Sequence, residues 1–352
     1  MIDSNTALAP WLERIADCPV VALDTEADSL YSYPERLCLI QIGLPDHLIL
    51  VDPLADIDLD PLWESLRASE IVIHAADYDL RLLYRRFGFV PKRIFDTMWA
   101  VRLLGFREFG LNHLVKHFHQ IELEKGSQKS DWGKRPLTAK MTEYALNDVR
   151  YLLSICDRLR QQLEEFGRLD WLEQIGSRLL REAVQSVDVA SEDVWRVKGS
   201  SRLPPIGLAH LKAFWQWREE EACRSNKPPY FVLSHEALLQ IAILASEGKP
   251  WDSRLPLRFS ARRRRAIREV ASRVKSMSAD TWPQKKRSRR VVISETEKDR
   301  IEQLKRIRDA RAEDLGLDPT LIASKATLVA LARDWENQVQ QLMGWQRQLI
   351  QP

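Results

Sequence analysis

Two carboxylates close a short apolar run near the start of the chain. Val20 to Leu23 is too short for a helix and rich in β-branched residues, so it reads as a buried strand. It runs straight into Asp24 and Glu26. Side chains two apart on a strand project to the same side, so these acids stand together and repel unless positive charge sits between them. A hard divalent cation with oxygen ligands, Mg²⁺ or Mn²⁺, is the simplest such partner. The alternative is a strand entering a polar turn, and further acids would decide between the two. Asp79 follows the apolar Ile71-Val-Ile-His at the start of a helix, and Asp148 lies four residues after Tyr144. That spacing puts hydroxyl and carboxylate on one helical face, although such pairs also occur in helices without chemistry. Asp77 and Asp96 compete with Asp79; Asp77 is expected on the turn and Asp96 as the cap of a helix beginning near Thr97.

The elements that must position these acids follow from periodicity. A helix over Leu8–Cys18 leads into the Val20 strand, and two short apolar runs, Leu37–Ile42 and His47–Val51, flank a hairpin turn. Further strands are expected at Ile71–His74 and Arg93–Phe95. Helices fill Leu62–Leu66, Leu80–Phe87, Met98–Leu104 and Leu111–Phe118. A loop from Glu124 to Pro136, containing Lys125, precedes one long helix from an N-cap at Thr138 to about Phe166, and another covers Leu169 to about Val184. Strands grouped first and then alternating with helices imply a mixed α/β sheet.

The 352 residues suggest two or three domains. The four cysteines make no Cys-x-x-Cys pair, which argues against a zinc site or disulfide framework. Neither a leader-like start nor a membrane-length apolar run is seen, so a soluble, cytoplasmic protein is expected. The net charge of +3 is unevenly spread: Arg254 to Arg311 holds 20 Lys and Arg against 7 Asp and Glu. An acidic front and a basic rear suggest a polyanionic partner.

In this order, Asp24-x-Glu26, Asp79 and Tyr144-x-x-x-Asp148 resemble the DEDD superfamily of 3′→5′ exonucleases, in the branch with a tyrosine in the last motif. The flanks Leu23-Asp-Thr-Glu-Ala-Asp-Ser-Leu, Leu39-Ile-Gln-Ile, Ser130-Asp-Trp-Gly-Lys-Arg-Pro-Leu and Tyr144-Ala-Leu-Asn-Asp-Val are similar to the ribonuclease D family. The resemblance implies an RNase H-like α/β domain and two-metal-ion hydrolysis releasing nucleoside 5′-monophosphates. In the family pattern Asp24 bridges both ions, Glu26 and Asp148 complete one site, and Asp79 helps to hold the other through water. A free tyrosine has a pKa of about 10, so Tyr144 is expected to aim the attacking water rather than to abstract its proton. Gln128, Lys129, Trp132 and Arg135 are candidates for holding the 3′-terminal nucleotides, with Trp132 either stacking a base or anchoring the loop. His74 either faces this site or is a satisfied structural histidine.

After Lys198-Gly-Ser-Ser-Arg-Leu-Pro-Pro, two segments resemble each other. Pro229-Tyr-Phe-Val-Leu-Ser-His-Glu-Ala-Leu aligns with Pro319-Thr-Leu-Ile-Ala-Ser-Lys-Ala-Thr-Leu. The first copy, with Trp217-Arg-Glu-Glu-Glu, is similar to the HRDC module shared by helicases and ribonuclease D, and the second, ending Met343-Gly-Trp-Gln-Arg, resembles a further such module. The expected plan is an α/β exonuclease domain at 1–190 and two small all-α, HRDC-like domains at 200–283 and 293–352. Two basic clusters, Arg262-Arg-Arg-Arg and Lys285-Lys-Arg-Ser-Arg-Arg, either tether RNA or form a solvated face or linker. The resemblance implies an exoribonuclease trimming RNA 3′ ends, tRNA precursors among them, and two modules able to flank the substrate within one chain lead to the expectation of a monomer. A DNA exonuclease with the same site and an inactive RNA-binding scaffold are the alternatives.

Overall fold

The computed structural model describes residues 1–124, 126–188, 193–285 and 293–351. They form two compact units. One comprises Met1–Glu26, Leu37–Asp188 and the described residues of Val292–Pro352; the other comprises Ala27–Arg36 and the described residues of Val189–Val291.

The first unit opens with α1 (Asn5–Ala16), β1 (Val20–Ala27), β2 (Leu37–Gly43), β3 (Leu48–Val51), α2 (Asp60–Leu66), β4 (Glu70–Ile73) and α3 (Asp77–Phe87). It continues with β5 (Arg93–Asp96), α4 (Thr97–Leu103), α5 (Leu111–His119), α6 (Ala139–Arg150), α7 (Leu152–Glu165) and α8 (Leu169–Asp188). The five strands form one sheet in the order β3-β2-β1-β4-β5, mixed as expected: β2 and β3 are antiparallel, while β4 runs parallel to both β1 and β5. Every residue of β2 is buried, as in strands covered on both faces. β1 is central, so the strand bearing Asp24 and Glu26 is braced from both sides.

Thr138 caps α6, accepting from Met141 N at 3.2 Å. The single helix expected from there to Phe166 is instead two, meeting at Tyr151. α6 packs on β2 and β3, whereas α7 packs on β4 and α4, and the break lets neighbouring turns serve both surfaces. At the end of β2, a Cβ on Gly43 would lie 3.1 Å from both the Ala22 Cβ and the Val149 carbonyl oxygen. Only a residue without a side chain lets α6 settle this close.

α13 (Glu295–Leu315), α14 (Pro319–Ile322), α15 (Lys325–Arg333), α16 (Trp335–Val339) and α17 (Gly344–Ile350) complete this unit. Buried Arg168 donates to Leu103 O at 2.6 Å and to Leu315 O at 2.8 Å, tying the ends of α4 and α13 together. Trp345 stacks on Trp171 of α8 at 4.7 Å, nearly parallel.

The second unit contains α9 (Pro205–Ser225), α10 (Pro229–Val232), α11 (His235–Ser246) and α12 (Ala261–Ser276). Phe214, Trp217, Leu238, Ile241 and Ile267 lie in its core. Tyr33 joins it, donating its hydroxyl to Glu219 and its backbone N–H to Asn226 Oδ1. The first basic cluster is largely consumed here. Arg262 and Arg263 both bond buried Glu221, and Arg264 donates to Pro256 O at 2.9 Å. Arg265, by contrast, points outward. Lys125 and, in the second cluster, Lys286 to Arg290 lie outside the described residues. Among the described residues no helix is long and apolar enough to cross a membrane.

Candidate active site

β1 buries Val21, Ala22 and Leu23 and then surfaces, leaving Asp24 and Glu26 half-buried on one side. α6, seated over Gly43, brings Asp148 to them. One carboxylate oxygen from each of the three lies within 4.8 Å of the others. Burial pushes all three carboxyls above the ordinary range, and the neighbouring acids add to this; Glu26 is raised to about 9. An all-oxygen donor set that resists carrying its own charge fits a hard divalent cation.

Asp79 sits in the first turn of α3, buried, and accepts a hydrogen bond from the Thr25 hydroxyl. Thr25 thereby links the acid on α3 to the strand that carries the other two. Asp77 is exposed and pairs with Arg81 at 2.6 Å. Asp96 caps α4, accepting from Met98 N and Trp99 N, and also receives the N–H groups of Ala75 and Ala76. It thus holds the turn, including Ala75 at φ 61°, that leads into α3. Both competitors for the Asp79 position are occupied elsewhere.

Tyr144, one helical turn before Asp148, hydrogen-bonds it. Burial, then the charges of Asp148, Glu26 and Asp24, raise its hydroxyl well above the usual tyrosine range, so it stays protonated. Gln41, fully buried on β2, donates from Nε2 to Asp24 Oδ2 at 3.4 Å, and its Oε1 has no donor among the described residues. Sequence reasoning assigned no role to Thr25 or Gln41. Their signal was position, between two acids and on the neighbouring strand, and only the strand pairing makes it readable.

Three of the proposed substrate contacts lie elsewhere. Trp132 is 1% exposed, packed with Cys38, Leu39 and Met141, so no ring face is open to a base. It stands 6.1 Å from the Tyr144 ring and backs it. Arg135 spends all its donors internally, bonding Asp52 through two nitrogens and the carbonyls of Trp132, Lys134 and Cys38. This is a latch, not a phosphate hand. His74 Nδ1 lies 2.9 Å from Thr97 Oγ1, and burial lowers its pKa to about 4, the satisfied structural histidine. Gln128 and Lys129 are exposed on the same loop.

Comparison with known proteins agrees with this geometry. The chain matches the 3′-5′ exonuclease family over residues 1–164 and the HRDC domain over residues 208–247. A ribonuclease D from Sphingobium indicum is 35% identical over 69% of this chain and 63% of its own length. One from a Jannaschia species is 33% identical over 99% of this chain and 92% of its own. The crystal structure of Escherichia coli RNase D, described as an exoribonuclease involved in structured RNA processing, is 27% identical and covers 99% of this chain and 95% of its own, with a TM-score of 0.77. A chain aligned almost end to end with the last two of these proteins, with its acids gathered at the end of a central strand, belongs to the ribonuclease D family of 3′→5′ exoribonucleases.

Proposed function

We propose that the carboxylate cluster is the hydrolytic centre and that it acts on the 3′ ends of structured RNAs, tRNA precursors among them. The convergence of Asp24, Glu26 and Asp148 within 4.8 Å carries this reading. These three residues would hold one divalent ion, with Asp24 shared, and Asp79 would help to hold a second; Mg²⁺ or Mn²⁺ suits the donors. When bound, such a pair stabilises the attacking and leaving oxygens of an in-line phosphoryl displacement. Tyr144, held protonated and donating to Asp148, places its hydroxyl oxygen beside the cluster, where it would orient the attacking water. Thr25 and Gln41 fix Asp79 and Asp24. Gln128 and Lys129 lie on a loop suited to contacting the terminal nucleotides.

The domain plan is 1–190 for the exonuclease, then 200–283 and 293–352 for the helical modules, in a cytoplasmic monomer. The test compares Asp24→Asn and Tyr144→Phe on a short RNA with a free 3′ end. Asp24→Asn should lower kcat at least about 10³-fold with the melting temperature retained. Tyr144→Phe should lower it about 10–100-fold with KM little changed, as when a transition-state contact is lost. Full turnover by Asp24→Asn, or in excess chelator, would refute the reading. A matched DNA oligonucleotide run in parallel separates RNA from DNA preference, and equal rates would favour the broader nuclease.

A further inference from the structure

The carboxyl of Asp96 is divided between two tasks. It is 1% exposed and stands at the end of β5, opposite Ile73 in the strand register. Oδ1 accepts from Met98 N at 2.9 Å and Trp99 N at 3.3 Å, which caps α4, and from Ala75 N at 3.1 Å. Oδ2 accepts from Ala76 N at 2.9 Å. Ala76 is the N-cap residue of α3, and α3 has no side-chain cap of its own. The helix that carries Asp79 is therefore started by an acid on another strand, 20 residues down the chain.

The next residue grips the same turn. Thr97 Oγ1 donates to Ile73 O at 3.3 Å and, its one hydrogen so used, accepts from Nδ1 of His74 at 2.9 Å. Each residue from Ile73 to Ala76 is thus held by the pair Asp96-Thr97. The grip matters because Ala75 stands at φ 61°, a left-handed backbone that a residue with a Cβ does not keep without compensation. Asp79 lies in the first turn of α3 just beyond, where it accepts from the Thr25 hydroxyl. A turn that relaxed would carry the start of α3, and Asp79 with it, away from β1.

We propose that Asp96 is a positioning residue of the nuclease: through Oδ2 on the Ala76 N–H it sets where Asp79 stands against the strand that bears Asp24 and Glu26. This rests on the reading of the carboxylate cluster as the hydrolytic centre. The role is geometric and opposed by electrostatics. Burial raises the Asp79 carboxyl above its ordinary range, and the charge of Asp96 adds to this, so the two acids repel. The four N–H groups that Asp96 accepts hold it there against that repulsion.

Asp96→Asn in the full chain separates the two tasks. Its amide oxygen keeps the three N–H groups now on Oδ1, while its amide nitrogen meets the N–H of Ala76, donor against donor. On a short RNA it should lower kcat about 10–100-fold with KM little changed. Because it also removes a charge that opposes ionisation of Asp79, an electrostatic role predicts kcat unchanged or raised. Combined with Asp79→Asn it should lower kcat by no more than about twofold beyond Asp79→Asn alone, since Asp96 acts through that residue. Mn²⁺ binding, titrated calorimetrically with adenosine 5′-monophosphate present, should weaken about tenfold in Asp96→Asn and in Asp79→Asn alike. Asp77→Asn, in the same turn but paired with Arg81, should match the parent. Asp96→Ser, which caps α4 but is too short to reach Ala76, gives the same comparison should Asp96→Asn not fold. Undiminished kcat or Mn²⁺ affinity in the Asp96 variant, losses that multiply with those of Asp79→Asn, or an equal loss in Asp77→Asn overturn the proposal and leave the catalytic reading intact. Undiminished kcat in Asp79→Asn overturns that reading and the proposal together.

Discussion

Shifted by 90 positions, α9 to α11 and α13 to α15 repeat each other feature by feature. Arg218 donates to Leu233 O at 3.3 Å, and Arg308 donates to Ala323 O at 3.0 Å. Each arginine also pairs with the acid that follows it, Glu219 or Asp309. Both first helices end on a left-handed residue, Asn226 or Gly316. Both short helices open on proline, and both third helices are capped by serine, Ser234 or Ser324. The divergence starts at one position. Glu221 is buried and binds Arg262 and Arg263 of a long fourth helix, whereas the corresponding residue in the second module is exposed Arg311. In place of a long fourth helix the second module has the short α16 and α17, and α17 stacks Trp345 on the nuclease helix α8. One three-helix scaffold thus closes on itself or on a neighbour, depending on what its fourth segment offers.

Ending the chain at residue 292 tests this contrast most severely. It removes α13 to α17, and with them the Leu315 carbonyl that Arg168 bonds and the Trp345 ring stacked on Trp171. The nuclease should then melt about 10 °C or more lower, given about 2–4 °C per kcal/mol for a unit of this size. An unchanged midpoint by circular dichroism would make the second module an appendage and end the comparison.

The paired arginines give a smaller, graded test. The Arg218 side chain is 3% exposed and that of Arg308 is 11%. Losing a hydrogen bond from a charged donor costs about 1.5–3 kcal/mol, with the upper part expected for the more buried site. Arg218→Ala should therefore cost more in urea than Arg308→Ala. The reverse order would show that the shared hydrogen bond is not what sustains both modules.

Glu221→Gln should have the smallest effect, about 1 kcal/mol, because both guanidiniums can reach water. Burial alone would raise this carboxyl, but Arg262 and Arg263 prevail and hold it below the ordinary 4.5. Its stabilisation is therefore present above about pH 4.5 and lost as pH falls through the folded value. The midpoint of acid unfolding of the second unit, followed by circular dichroism, should move up in the Gln variant relative to the parent. Coincident acid curves would remove Glu221 as the point of divergence, and Arg311→Gln, exposed and with no buried partner among the described residues, should change neither curve.

The sheet, the acids at its end and the duplicated modules were legible because each leaves a local trace. Short apolar runs mark the strands, acids end the apolar run at Asp24, and the Pro229 and Pro319 segments align directly. What was not legible depends on partners distant in sequence. Arg135 looked like a phosphate ligand because Asp52, 83 residues away, is invisible to a local reading. Trp132 is either a base-stacking ring or a loop anchor in the sequence, and its burial behind Tyr144 favours the anchor, a choice that depends on Cys38 and Leu39 almost a hundred residues away. Composition likewise reports the charge of Arg262 to Arg264 but not that buried Glu221 and backbone carbonyls claim it.

The contact at Gly43 bears on how closely the three carboxylates can stand. Asp148 immediately precedes Val149, whose carbonyl oxygen would meet a side chain at residue 43 at 3.1 Å. Relieving that contact would move α6 by a few tenths of an ångström, and Asp148 with it. The missing methyl at Gly43 is therefore what keeps Asp148 on α6 within reach of Asp24 and Glu26, whose carboxylate oxygens lie within 4.8 Å of its own.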